Sequence, residues 1–256
     1  MEYQNLRPGQ IVEARKKLPL AYVAFGLLEW HGLHNPVGLD GLKAHAVVNY
    51  LAEKIGGLVM PPLFWADHRG KICEVVFDPA VSSWLPAGTP DHSTAICEFL
   101  GLPRARLEEE GRRSERKGGH RLWKELVVHI FFEIESLGFR MVVAYPGHAP
   151  MYAPLDEAVR QYHDEGGTCR VFAFNEQMVC PGDHAAKLET SLALRLFPEL
   201  VDLTQLDEDS PYHLGVLGTD PLAHASREYG DEVLQKIEEM VRREVDRWLR
   251  SEREER

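Results

Sequence analysis

YVAFGLLEWHGLHNPVGLD, residues 22–40, decides the fold class, because it passes from a strand pattern through a polar turn towards a helix. Tyr22 to Leu28 is a short run of aromatic, β-branched and other apolar residues, which reads as a strand. LKAHAVVNYLAEKI follows, with Leu42, Ala46, Tyr50 and Ile55 at helical spacing. The same alternation continues along the chain. GLVMPPLF reads as a second strand stopped by its proline pair, and a long helix is expected from about Glu115 to Leu137. Leu122, Leu126, Ile130, Ile134 and Leu137 share one face of that helix, and Gly138 closes it before the strand RMVVAY. APLDEAVRQYHDEG is a further helix, CRVFAFN a further strand, and a helix from about Ala185 to Leu196 ends ahead of Pro198. From Pro221 to Arg250 the pattern is mostly one amphipathic helix, with Val233, Ile237, Met240 or Val241, and Val245 inward. Strands alternating with helices predict the α/β class, as a three-layer α/β/α domain around a mainly parallel sheet. One domain over 1–256 is expected, with a loop excursion at about 65–111 and a charged loop, GRRSERKGGHR at 111–121, entering the long helix.

The bulk numbers bound the function. The formal net charge of −11 argues against a nucleic-acid binder, since phosphate backbones call for a basic stripe. No apolar run approaches the length that spans a bilayer, and the N-terminus shows no secretory pattern. Cys73, Cys97, Cys169 and Cys180 form no CxxC pair and read as reduced, mostly buried thiols. The expectation is a soluble, cytoplasmic protein that engages neither nucleic acid nor membrane.

Chemistry-bearing residues gather at strand exits, where open parallel sheets hold ligands. Glu29 and His31 lie two apart beyond the first strand, so an extended backbone aims them to one side. Asp40 stands just before the next helix, His148 in the turn PGHAP after RMVVAY, and Asp183-His184 with Glu189 beyond CRVFAFN. One carboxylate, one imidazole and a later aspartate suit Zn²⁺, Mn²⁺ or Fe²⁺. Asp40 could instead cap its helix while Glu29 and His31 pair with other side chains, and His184 could cap the helix beginning near Ala185.

EWHGLHNPVGLD at 29–40 resembles the signature E-x-H-G-x-H-L-P-x-x-x-D of the creatininase (creatinine amidohydrolase) family. ELVVHIFFEIESLGFRMVVAYPGH at 125–148 is similar to the helix and strand leading into that family's NGHGGN turn. HAAKLETS at 184–191 is similar to its HAGxxETS segment, and GVLGTDPLAHASREYGDEVL at 215–234 to its GVxGDP tail. The resemblance implies a creatininase-like fold with two divalent ions (Zn, Mn or Fe) held by Glu29, His31, Asp40 and His148, with Asp40 as the bridge. Creatininase uses a glutamate two residues after the turn histidine; Pro150 stands there and cannot coordinate, so Glu189 is expected as the fifth ligand. His184 is implied as the catalytic acid or base, while Trp30, His34, Tyr145 and His68 are expected to support the ligands or face substrate.

The implied activity is hydrolysis of a non-peptide or cyclic amide of a small molecule through a metal-bridging hydroxide. A metal-dependent isomerase or lactonase, or a catalytically silent assembly protein, are the alternatives. The resemblance also implies a homo-oligomer, by analogy a hexamer. Several positions depart from the family pattern: Pro146, Ala149, Pro150 and Met151 in the turn, Asn35 for the signature leucine, and Ala186 and Lys187 in the HAG segment. Trp65, Asp67, His68 and Arg69 also replace the family's usual small residues. These alter the pocket wall and bear on the substrate more than on the metal.

Overall fold

The computed structural model describes residues 1–66, 91–210 and 213–254. Its centre is a parallel sheet of β1 (Leu20–Phe25), β2 (Leu58–Val59), β3 (Met141–Pro146) and β4 (Arg170–Ala173), ordered β2-β1-β3-β4. Leu20 pairs with Met141 and the register runs on to Phe25 with Pro146. Each of the two central strands is buried along its whole length, as expected when helices cover both faces of a parallel sheet.

The pleat divides those strands between two cores. Leu20, Tyr22, Ala24, Met141, Val143 and Tyr145 face one helical layer, while Ala21, Val23, Phe25, Val142 and Ala144 face the other. Around the sheet run helices α1 (Pro8–Lys17), α2 (Leu39–Ile55), α3 (Ser93–Leu100), α4 (Arg104–Lys117), α5 (Gly119–Ser136), α6 (Tyr152–Asp164), α7 (Lys187–Leu196), α8 (Pro221–His224) and α9 (Arg227–Glu254). The first core is closed by α2, α7 and α9, the second by α5 and α6. The result is the expected α/β/α sandwich.

Four details differ from the sequence reading. The inward face of α2 carries Leu39, Ala44, Val47, Val48 and Leu51, whereas Leu42, Ala46, Tyr50 and Ile55 are only partly buried. In α5 the inward face is Trp123, Val127, Phe131 and Ile134, and Leu122 and Leu126 are exposed. Both helices carry two adjacent apolar stripes, and periodicity alone cannot choose between them. The segment read as loop from 93 to 111, and the charged run beyond it, are instead helical: α4 continues to Lys117, and Gly118, at φ 71°, separates it from α5. Its Arg and Glu residues are good helix formers, and Arg104–Glu108 and Arg112–Glu108 pair at i,i+4. The rest of the expected excursion, including VFDPAVSSWLPAGTP, lies outside the described residues. Finally, α1 was not anticipated. In α9, Val233, Ile237, Val241 and Val245 are buried as read, with Val241 rather than Met240 inward.

Two glycines place the start of α2 against the strand exits. A Cβ on Gly26, just past β1, would lie 2.3 Å from the Gly41 Cα, and one on Gly147, just past β3, 1.9 Å from the Asp40 carbonyl oxygen. Only hydrogen fits there, so the first turn of α2 sits directly on the ends of both central strands.

Candidate metal centre

Five buried side chains converge where β1, β3 and α2 meet the start of α7. Glu29, His31 and Asp40 are fully buried, and His148 and Glu189 nearly so. Asp40 does not cap α2: the cap position is Gly38, and the Asp40 carboxylate turns towards two imidazoles. Oδ1 lies 3.3 Å from His31 Nε2, and Oδ2 lies 3.2 Å from His148 Nδ1. Glu29 Oε2 is 2.8 Å from His148 Nδ1, and Glu189 Oε2 is 3.6 Å from His31 Nε2. Asp40 therefore has one oxygen in each of two ligand groups, Glu29–Asp40–His148 and His31–Asp40–Glu189.

The tautomers are set by backbone carbonyls, which only accept. His31 Nδ1 lies 3.1 Å from the Glu29 carbonyl, so it carries the proton and Nε2 faces the carboxylates. His184 Nε2 donates to the Trp30 carbonyl at 2.8 Å, which turns Nδ1 towards Glu189, 4.0 Å from Oε2. His184, Glu29 and His31 also form a third group of potential ligand atoms. The capping alternative for His184 is not what is seen, because Asp183 accepts from the Leu188 and Glu189 backbone N–H groups.

Electrostatics reinforce this picture. Burial pushes the Asp40 carboxyl up, but His31 and His148 more than offset it and hold it well below the usual carboxylate range. Burial opposes a charged His31, and the Asp40 and Glu189 carboxylates reverse this, raising it to about 9. Burial and the neighbouring Glu189 push Asp183 up to about 7. The centre attracts positive charge. Both Asp40 oxygens and His31 Nε2 are buried and make no hydrogen bond among the described residues. Buried polar atoms left in that state cost several kcal/mol. Oxygen and imidazole donors of this kind, aimed at common points, fit borderline divalent cations.

The other expected residues divide. His34 is buried, with Nε2 2.9 Å from Thr190 Oγ1, beside the centre rather than in it. The Trp30 ring packs with Ile96 and Cys97 and donates to the Leu214 carbonyl, so its contribution to the centre is its own carbonyl. The Tyr145 hydroxyl donates to Glu176 Oε2 at 2.8 Å. His68 lies outside the described residues. Cys97, Cys169 and Cys180 are free and buried.

The sequence reading missed Lys43 and Glu176. Lys43 is fully buried and its ammonium contacts Glu176 Oε1 at 2.7 Å and Glu189 Oε1 at 2.5 Å. Burial works against its charge, yet these carboxylates raise Lys43 well above its usual value. A lysine three residues after Asp40, amid apolar positions, and a glutamate beyond the fourth strand were the available signals.

Residues 119–242 match the family model described as creatininase, creatinine amidohydrolase. No match is found among curated protein sequences. Solved structures of creatininases share the fold. Creatinine amidohydrolase (creatininase) aligns at TM-score 0.63 and 21% identity, over 95% of this chain and 97% of that one. A manganese creatininase aligns at 0.62 and 23%, over 95% and 98%. A glutamate-to-glutamine creatininase variant of zinc–zinc type aligns at 0.61 and 23%, over 95% and 97%. The motif at 29–40 precedes the family-model match, but the structural alignments span nearly the whole chain. The fold is that of the creatininases, and residues 119–242 resemble that family in sequence as well.

Proposed function

We propose that the chain is a metal-dependent hydrolase that opens a non-peptide or cyclic amide of a small molecule. The observation that carries this is Asp40, whose two oxygens each face a separate ligand group. Glu29, Asp40 and His148 would hold one divalent ion, and His31, Asp40 and Glu189 the other. Zinc and manganese, named for the related structures, are the foremost ions, and iron suits the same donors. Bound there, the ions would polarise a substrate carbonyl and lower the pKa of water towards about 7.

The protein's own groups then manage protons. His184, fixed by the Trp30 carbonyl, offers Nδ1 on the carboxylate side, where it can take a proton from water and return it to the leaving nitrogen. The buried walls exclude bulk water and strengthen each charge interaction. Trp30 and Tyr145 act from behind, through a carbonyl and through Glu176. Among the described residues no helix is long and apolar enough to cross a membrane. The assembly is a homo-oligomer on this reading, hexameric by analogy, which sedimentation of the 29.1 kDa chain tests.

Elemental analysis of purified protein, paired with turnover of amide, lactone and sugar panels, tests the reading. Two ions per chain and amide turnover are expected. Turnover confined to lactones or sugars would move the reaction to a lactonase or isomerase. Protein without affinity for divalent ions would point to a silent assembly role.

A further inference from the structure

We propose that Lys43 is a positioning residue that makes Glu189 a single-oxygen ligand, an inference that rests on the two-ion reading above. Lys43 lies one turn beyond Asp40 in α2, so both side chains leave the helix on one face. Its ammonium takes Glu189 Oε1 at 2.5 Å. The other oxygen, Oε2, accepts from the Ala185 backbone N–H at 2.7 Å and faces His31 Nε2 at 3.6 Å. With one oxygen occupied by a cation and the other pinned by an amide, the carboxylate can present only Oε2, along one direction.

Lys43 is itself braced. Glu176 Oε1 holds the ammonium at 2.7 Å, and Glu176 Oε2 accepts from the Tyr145 hydroxyl at 2.8 Å. The Tyr145 ring stacks on Phe174 with centroids 4.7 Å apart. The relay Tyr145–Glu176–Lys43–Glu189 thus carries the rigidity of β3 and of the segment after β4 into the His31–Asp40–Glu189 group through Glu189.

The test compares full-length wild type with Lys43→Met and Glu176→Gln. Readouts are ions retained per chain, the affinity of each for added Zn²⁺, and the visible spectrum of the cobalt(II)-substituted protein, with circular dichroism as the folding check. Partners that orient ligands are commonly worth about 10- to 100-fold in metal affinity. Lys43→Met should therefore weaken one ion by that factor, leave the other near the wild-type value, and alter the cobalt bands. Glu176→Gln keeps every ligand and Lys43 in the chain, so it should weaken the same ion by less than Lys43→Met does, with a smaller spectral change. If Lys43→Met does not fold, Glu176→Gln alone decides, and an unchanged affinity and spectrum overturn the proposal. Equal weakening of both ions in a folded variant also overturns it, because the effect would then not pass through Glu189. Wild type that binds no ion overturns the two-ion reading and this inference together. Wild type with two ions and unaffected variants overturns this inference alone.

Discussion

Placing a methyl group on Gly147 tests whether contact between a strand exit and the first turn of α2 sets the geometry of the centre. The added carbon would sit 1.9 Å from the Asp40 carbonyl oxygen and 2.7 Å from its carbonyl carbon. Ordinary contacts between such atoms need roughly 3.4 Å, so the two backbones must part by about 1.5 Å. The obstructing atoms are helix backbone, which cannot swing aside as a side chain could. Overpacking of this kind costs about 1–3 kcal/mol, and a rigid clash belongs at the upper end. For a chain of this size, each kcal/mol moves Tm by about 2–4 °C, giving an expected fall of roughly 6–12 °C for Gly147→Ala. The same separation carries Asp40 away from His148, and a misplacement of about 1 Å commonly costs on the order of 100-fold in turnover. Calorimetry with and without added Zn²⁺, together with elemental analysis, reads both effects. Gly9→Ala is the control: nothing lies within 4 Å of its added Cβ and it sits inside α1, so a gain of about 0.5–1 kcal/mol is expected. A Gly147→Ala protein that melts within about 2 °C of wild type and keeps two ions would refute the argument.

Two further outcomes separate the roles of the buried polar residues. Asp40→Ala should lose both ions, whereas His184→Gln should keep them while turnover falls by roughly 10²–10⁴-fold, measured as metal content and kcat on the same folded preparations; loss of ions in His184→Gln would make His184 a ligand. Burial, partly opposed by its contact with the Ala185 carbonyl, lowers His34 from 6.5 to about 4. Between those values the unfolded chain binds the proton and the folded one does not, so the stability present above pH 6.5 is lost as pH falls towards 4. The slope is about 1.4 kcal/mol per pH unit, and denaturant titrations across that window should find it flattened in His34→Gln.

Much of the positioning logic could be read from residues 22–40 because a strand, its glycine-bearing exit and the following helix start are all local features. Glu29, His31, Asp40, His148 and Glu189 follow strands at their carboxyl ends, and the structure gathers these five at one point. What escaped reading depends on long-range choice. Leu122 and Trp123 are both apolar, and only the sheet decides that Trp123 turns inward against Phe25. Lys43 resembles a surface lysine in sequence, because the two carboxylates that justify its burial lie beyond residue 170. The helix at Arg104–Lys117 was hidden for the opposite reason: its order rests on charge pairs and propensity, with little of the apolar period that marks a core-facing helix.

The pairing of β1 with β3 joins Phe25 to Pro146 across most of the first half of the chain. Closing so long a loop is entropically slow, and topologies dominated by distant contacts fold slowly. On a ribosome, Glu29, His31 and Asp40 emerge long before His148 and Glu189 exist, and β3 is needed to bring the two sets together. On the two-ion reading, a growing chain would hold an incomplete ligand set until helix α7 has been made, so metal capture would come late in its synthesis.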